Sequence, residues 1–279
     1  MRICLGLVVL FSLSSVSGYC AEKEQKTFSS AGLNRLYVTT ETGAITVDGT
    51  SRNTVLVEIS GNEQDKCILT MNVAAGRLVL TAEGRSYTPP KGWKNIFGLF
   101  RGGERRVDCP ASFNVSAPSF LELEAKAGTG DVNVAAMSAH SSIEAGTGDI
   151  LLRGISGSLA VQNGTGALTG SACPKNMVIK GGTGKIQITG LCGPAIVQSG
   201  GGGVNLEWDR VPSEGDVRIQ TGTGSVRLVF PDAAKLSTSL SSGLGRITNE
   251  FENSNGFPVS VQSGTGSVSV IKSKGNKTL

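Results

Sequence analysis

Pairs of glycines separated by one residue recur along the second half of the chain at a nearly fixed period. Gly-Thr-Gly begins at Gly128, Gly146, Gly164 and Gly182. A variant begins at Gly200 (Gly200, Gly201, Gly202), and further copies begin at Gly222, Gly243 (Gly243, Leu244, Gly245) and Gly264. The first four steps are 18 residues each, and the last three are 22, 21 and 21. A half-match, Glu41 to Val47, reads as a divergent earlier copy. Repeats of this length mean a stack of small units rather than a conventional globular core. They also account for much of an unusual composition, 39 glycines in 279 residues. Glycine at every third position would indicate collagen, but this spacing is different.

Apolar residues keep a fixed phase to these glycines. Two and four positions after the second glycine stand Val132 and Val134, Ile150 and Leu152, Ile186 and Ile188, Val204 and Leu206, Val226 and Leu228, Val268 and Val270. Upstream stand Ile143, Val161, Ile179, Val197, Ile219, Leu240 and Val261. Alternation with period 2 is the signature of a strand with one face buried. The segments are short, β-branched and broken by glycine, which disfavours helix.

A unit with two short strands cannot bury its own inner face, but successive units stacked on one another can. The sequence therefore predicts an all-β chain, a single-stranded parallel β-solenoid with rungs of about 18–22 residues. Between Leu121 and Ile271 there is room for about eight rungs, a stack of roughly 35–40 Å at strand spacing. Thr129, Thr147, Thr165, Thr183, Thr223 and Thr265 should align as a ladder.

Residues 27–120 are also strand-like but less regular, and they read as a β cap or as opening turns of the same solenoid. An open β edge invites pairing with other chains, so this region must cover one end. Lys272, Lys274 and Lys277 in the tail, 272–279, would discourage pairing at the other end. An insertion at 87–106 concentrates aromatic and basic residues. If helical, it places Trp93, Ile96, Phe97 and Phe100 on one face. It fits a lid over the solenoid, or a membrane-surface or partner contact through 91–106.

Residues 1–18 read as a secretory signal peptide: Arg2, an apolar run from Ile3 to Val16, then small residues. The run is shorter than a membrane span needs. Acylation of Cys20 is an alternative, but Tyr19 before it is a poor fit. Export places the chain in the periplasm, the cell envelope or the cell surface, where disulfides persist. Cys67, Cys109, Cys173 and Cys192 allow three pairings. Cys173 lies seven residues after Gly166 and Cys192 eight after Gly184, so they sit one rung apart. The rung spacing suits a disulfide between them, and elimination leaves Cys67 with Cys109.

Several chemistries fail on the residues. Net charge is only +4, from 26 basic and 22 acidic residues, which gives no nucleic-acid footprint. Gly181 to Ile186 resembles a phosphate loop, but Ile186 stands where Ser or Thr should bind magnesium. Asp131 and Asp149 suggest a calcium repeat, yet later copies carry Ala167, Lys185, Gly203, Ser225, Arg246 and Ser267 at that place. The single histidine, His140, reads as an exposed loop residue. No cofactor and no catalytic residue is expected. A carbohydrate-active β-helix enzyme remains an alternative, with Asp209, Arg210, Glu214 and Asp216 as the densest charge group in the stack.

The longer repeats place their extra residues, Glu207 to Glu214, Phe230 to Lys235 and Glu250 to Phe257, on one edge, the edge of Cys173 and Cys192. Insertions on one face of a repeat protein often form its binding face. Trp208, Asp209, Arg210, Phe230 and Phe251 are the candidate contacts there, with Trp93, Phe97 and Phe100 in the insertion. Phe230 and Phe251 fit equally well as anchors of the loops in the core.

The units Ala127-Gly-Thr-Gly-Asp-Val-Asn-Val134 and Gln262-Ser-Gly-Thr-Gly-Ser-Val-Ser-Val270, with the Cys109-Pro110 to Leu123 entry into them, resemble a bacterial family of exported β-strand-repeat proteins described as putative adhesins, a domain of unknown function. The resemblance covers residues 33–271. It implies a parallel β-solenoid at the envelope or surface and brings no catalytic residues. Taken together, the chain reads as a non-enzymatic envelope or surface protein, binding a protein or glycan partner through edge loops. Self-assembly through the end rungs is a further alternative.

Overall fold

A computed structural model describes residues 24–63, 65–87 and 105–273. The expected signal peptide, Cys20, Trp93, Phe97, Phe100 and the lysines of the last six residues lie outside them. No helix occurs among the described residues.

The N-terminal part contains β1 (Glu24–Ser29), β2 (Arg35–Thr42), β3 (Ile45–Thr50), β4 (Thr54–Ser60), β5 (Cys67–Ala74), β6 (Arg77–Gly84), β7 (Ser86–Tyr87), β8 (Arg105–Arg106) and β9 (Ser112–Pro118). The repeats follow as strand pairs: β10 (Glu122–Thr129) with β11 (Val132–Ala135), β12 (Ser141–Thr147) with β13 (Ile150–Ile155), β14 (Leu159–Thr165) with β15 (Leu168–Ala172), β16 (Met177–Thr183) with β17 (Ile186–Leu191). Then come β18 (Ala195–Gly201) with β19 (Val204–Trp208), β20 (Val217–Thr223) with β21 (Val226–Phe230), β22 (Leu236–Leu244) with β23 (Ile247–Asn249), and β24 (Phe257–Thr265) with β25 (Val268–Lys272).

The first strand of each pair joins an 11-stranded sheet and the second a 12-stranded sheet. Both sheets are parallel through the repeats, and the period-2 apolar residues fill the space between them. The chain is thus a two-sheet β-solenoid with the expected eight rungs, β10/β11 to β24/β25. The half-match at Glu41–Val47 is a true copy, because β2 and β3 pair in register with β10 and β11. Thr129, Thr147, Thr165 and Thr183 align in successive rungs. Gly201 interrupts the column before Thr223 and Thr265.

The corner glycines set the rung spacing. Gly148 has φ +139°, and a Cβ there would collide with the Gly130 carbonyl one rung below. Gly148→Val should therefore strain the backbone as well as the stack. Strain alone costs about 1–3 kcal/mol, readable as a lower urea midpoint.

The stack is not in chain order at either end. At the N-terminal end, β2 and β3 lie inside, with β6 and β9 added on their outer side. Antiparallel strands then close that end: β5 on β6, β4 on β9, and β1 on β4. Apart from β7 and β8, which pair with each other as a separate ribbon, the strands of the less regular region therefore belong to the same two sheets. The Cys67–Cys109 disulfide fastens the start of β5 to the chain entering β9. It closes a 42-residue separation, for which chain entropy gives about 4 kcal/mol. The double variant Cys67→Ala, Cys109→Ala should lose close to that in denaturant unfolding.

At the C-terminal end the last two rungs are exchanged. The final pair, β24/β25, sits directly on β20/β21, and β22/β23 stack outside it. The side chains explain this order. In register, Val259 and Val261 of β24 match Thr238 and Leu240 of β22, and Val270 of β25 matches Asn249 of β23. The more apolar pair takes the layer covered on both sides, and the more polar pair takes the end. Leu244 and Ile247 are accordingly 72% and 44% exposed. The expected guard by Lys272 is corrected here. That residue lies on β25, which is flanked by β21 and β23, and its ammonium pairs with Asp232 at 2.9 Å.

Candidate functional site: the edge-loop groove

The longer loops converge on one edge, and aromatic side chains pin them from beneath. Trp208 ends β19 and is 1% exposed. Its ring stacks on Phe230, at the end of β21, with centroids 4.4 Å apart and planes 10° from parallel. Phe230 meets Phe251 edge-on at 6.4 Å. The indole N–H of Trp208 donates to the Gly193 carbonyl at 3.0 Å, which ties the loop after β17 to the same anchor. These rings belong to the core; this corrects the expected role of Trp208 as a contact, and of the two readings open for Phe230 and Phe251 it favours anchors of the loops. An aromatic ring that closes a loop over a core loses its access to a partner. Lys272 completes the arrangement with its ammonium 5.6 Å from the Phe251 ring centroid.

Next to Trp208, and linked to it through Gly193, loop residues form an open groove of about 630 Å³. The loop after β15 supplies Cys173, Pro174 and Lys175; the loop after β17 supplies Cys192 to Pro194; the loop after β19 supplies Arg210 and Pro212 to Gly215. Gly215 has φ +85°, and a Cβ there would press on the Pro194 ring at 2.8 Å. Only glycine lets the third loop fold against the second. The Cys173–Cys192 disulfide joins the first two loops, with Cα atoms 5.0 Å apart.

Of the expected contacts, Asp209 and Arg210 are exposed, and Arg210 lines the groove. The Asp209 amide is held by the Leu191 carbonyl at 2.9 Å. Asp216 forms an ion pair with Arg218. The groove also takes in Ser156 and Lys175, which the sequence reading did not single out. Their signal was available, since Lys175 stands two residues beyond Cys173 in a loop already placed at this edge.

A second open groove, about 680 Å³, lies on the 11-stranded sheet. Lys180, Gln198, Gln220 and Gln262 stand in register along it, beside Gly200, Gly222 and Gly264.

Three described groups have shifted pKa values, and each owes its shift to an ion-pair partner. Arg35 donates to Glu122 and, through that bond first and its charge second, holds the Glu122 carboxyl below its ordinary value. The ammonium groups of Lys66 and Lys126 are raised by hydrogen bonds to Glu63 and Glu124. These are surface pairs, and none lines the groove. Asp131 and Asp149 cap the next rung: each Oδ1 accepts a backbone N–H, from Asp149 at 2.9 Å and from Ala167 at 2.7 Å. Among the described residues no group of three or more His, Cys, Asp or Glu side chains could hold a metal ion.

Fold and site together define a β-solenoid built on two large sheets, with loops gathered at one edge. The same architecture occurs in a crystal structure of a putative adhesin from Bacteroides fragilis NCTC 9343, with a TM-score of 0.51 and 14% identity over 90% of this chain and 97% of that one. The chain belongs to the Toastrack DUF4097 family, which it matches over residues 24–279. Crystal structures of a putative adhesin from Parabacteroides merdae ATCC 43184 and a putative lipid binding protein from Parabacteroides distasonis ATCC 8503 also align. Their TM-scores are 0.48 and 0.45, their identities 12% and 11%, over 90% and 89% of this chain and 96% of each of theirs. No curated protein is significantly similar to the chain.

Proposed function

We propose that this protein is a non-enzymatic binding or scaffolding component of the cell envelope or surface. Its mechanism is passive: a rigid stack holds the edge loops in one arrangement and presents them to a protein or glycan. The observation that carries this reading is the groove itself. Loops from four rungs meet there, one disulfide joins two of them, and the buried Trp208 holds the backbone of a third lining position, Gly193, through its indole N–H. A pre-ordered surface loses little freedom when it binds. The likeness to structures described as putative adhesins supports the reading, as do two disulfides suited to an oxidising compartment. Proximity labelling of the protein in its native cell tests it. The expected neighbours are envelope or surface proteins; labelling confined to cytoplasmic proteins contradicts it.

A second reading, assembly through the end rungs, is favoured by one observation. Asn253 bridges Leu236 and caps the Thr238 amide at the start of β22, but beyond Thr238 the outer sides of β22 and β23 have no strand partner among the described residues, and Leu244 and Ile247 are exposed. β22 carries no charge or proline to discourage pairing. A rise in hydrodynamic size with concentration that disappears in Leu244→Lys would support it, and a constant monomer would remove it.

A further inference from the structure

The two disulfides differ in what can reach them. Cys67 is 4% exposed and Cys109 0%. Cys173 is exposed, Cys192 is half-buried, and both line the edge-loop groove. The surroundings of the two groove sulfurs are also unequal. The Arg210 guanidinium donates through Nη2 to Cys173 Sγ at 3.7 Å. Among the described residues nothing donates to Cys192 Sγ. A disulfide is opened by a thiolate that attacks one sulfur and expels the other, and the better-stabilised thiolate leaves faster. A guanidinium beside a sulfur stabilises its thiolate.

We propose that Cys173–Cys192 is a thiol-exchange site with fixed direction, in which a small thiolate attacks Cys192 Sγ and expels Cys173. A bond forms between the incoming sulfur and Cys192 Sγ as the Cys173–Cys192 bond breaks. The electron pair of the broken bond passes to Cys173 Sγ, where the Arg210 charge receives it. The incoming thiol has already given its proton to solvent. The products are a mixed disulfide on Cys192 and a thiolate on Cys173. That thiolate stays one rung away and can attack the mixed disulfide in turn, releasing the small thiol and restoring the cross-link. The exchange untethers two walls of the groove without touching the buried Cys67–Cys109 bond. It therefore acts on the surface proposed for binding, although it does not depend on that proposal.

The test uses the oxidised, folded full chain with glutathione at mildly alkaline pH, quenched with acid and mapped by peptide mass. The expected result is glutathione on Cys192, an alkylatable thiol at Cys173, and an intact Cys67–Cys109 bond. Arg210→Gln should slow the exchange by roughly threefold or more, as expected when the leaving thiolate loses a charge partner. Arg210→Lys should restore part of the rate. Lys185→Gln removes an exposed charge outside the groove, and it should keep the native rate. Glutathione on Cys173, equal rates in native and Arg210→Gln protein, an equal loss in Lys185→Gln, or no exchange at all would each overturn the proposal. Matching circular dichroism of the variants ensures that the rates compare folded proteins.

Discussion

Replacing Trp208 with alanine lowers stability by about 3–5 kcal/mol, the usual range for removing a large aromatic side chain from a core. Trp208 heads the largest fully buried side chains of the chain. Its removal empties the space under three loops, ends the 4.4 Å stack with Phe230 and leaves the Gly193 carbonyl without its indole donor. The stack alone adds about 0.5–1.5 kcal/mol beyond burial. Chemical denaturation of native protein and Trp208→Ala gives the difference directly. Trp208→Phe should recover a large part of it, since it refills the space without the N–H donor. Were Trp208 a surface contact, the alanine variant would unfold at the native midpoint and lose only binding.

A chain ended at Gly256 should be damaged far beyond its missing residues. In a solenoid stacked in chain order, this cut would remove only the last rung and leave β22/β23 on β20/β21. Here, among the described strands, β22 has β24 as its one neighbour and β23 has β25. The cut takes away both partners and uncovers the outer side of β20 and β21. Phe257, Val259, Val261, Val268 and Val270, all buried, are lost with it. At about 1.5–3 kcal/mol for each buried side chain, this is a large part of what holds the end of the stack. Hydrogen exchange should show residues 236–249 unprotected in the truncated chain and protected in the full one. Retained protection there would mean that β22/β23 can stack on β20/β21 unaided.

The repeat made the architecture legible before any coordinates. Glycine spacing gave the rungs, the apolar phase gave the buried faces, and the position of Cys173 and Cys192 within the repeat gave a disulfide. Rung order was harder to read, because neighbouring rungs share one pattern. The sign of the exchange was nevertheless present: Thr238, Ser242 and Asn249 stand where other copies carry more apolar or better-covered residues. The groove was half legible. Register placed its loops on one edge, but sequence alone does not say whether an aromatic in a loop turns inward or outward. Trp208, Phe230 and Phe251 turn inward, because each can reach another ring beneath the loops. The polar residues Asp209, Arg210 and Glu214 are left exposed beside them.

The most direct test of the account is the triple variant Asp209→Ala, Arg210→Ala, Glu214→Ala, compared with the native protein for binding to cell surfaces and to immobilised glycans. The account predicts a loss of binding of tenfold or more with an unfolding free energy within about 0.5 kcal/mol of native, as expected for exposed positions. Unchanged binding, or the loss of a glycan-cleaving activity that the native protein displays, would contradict it.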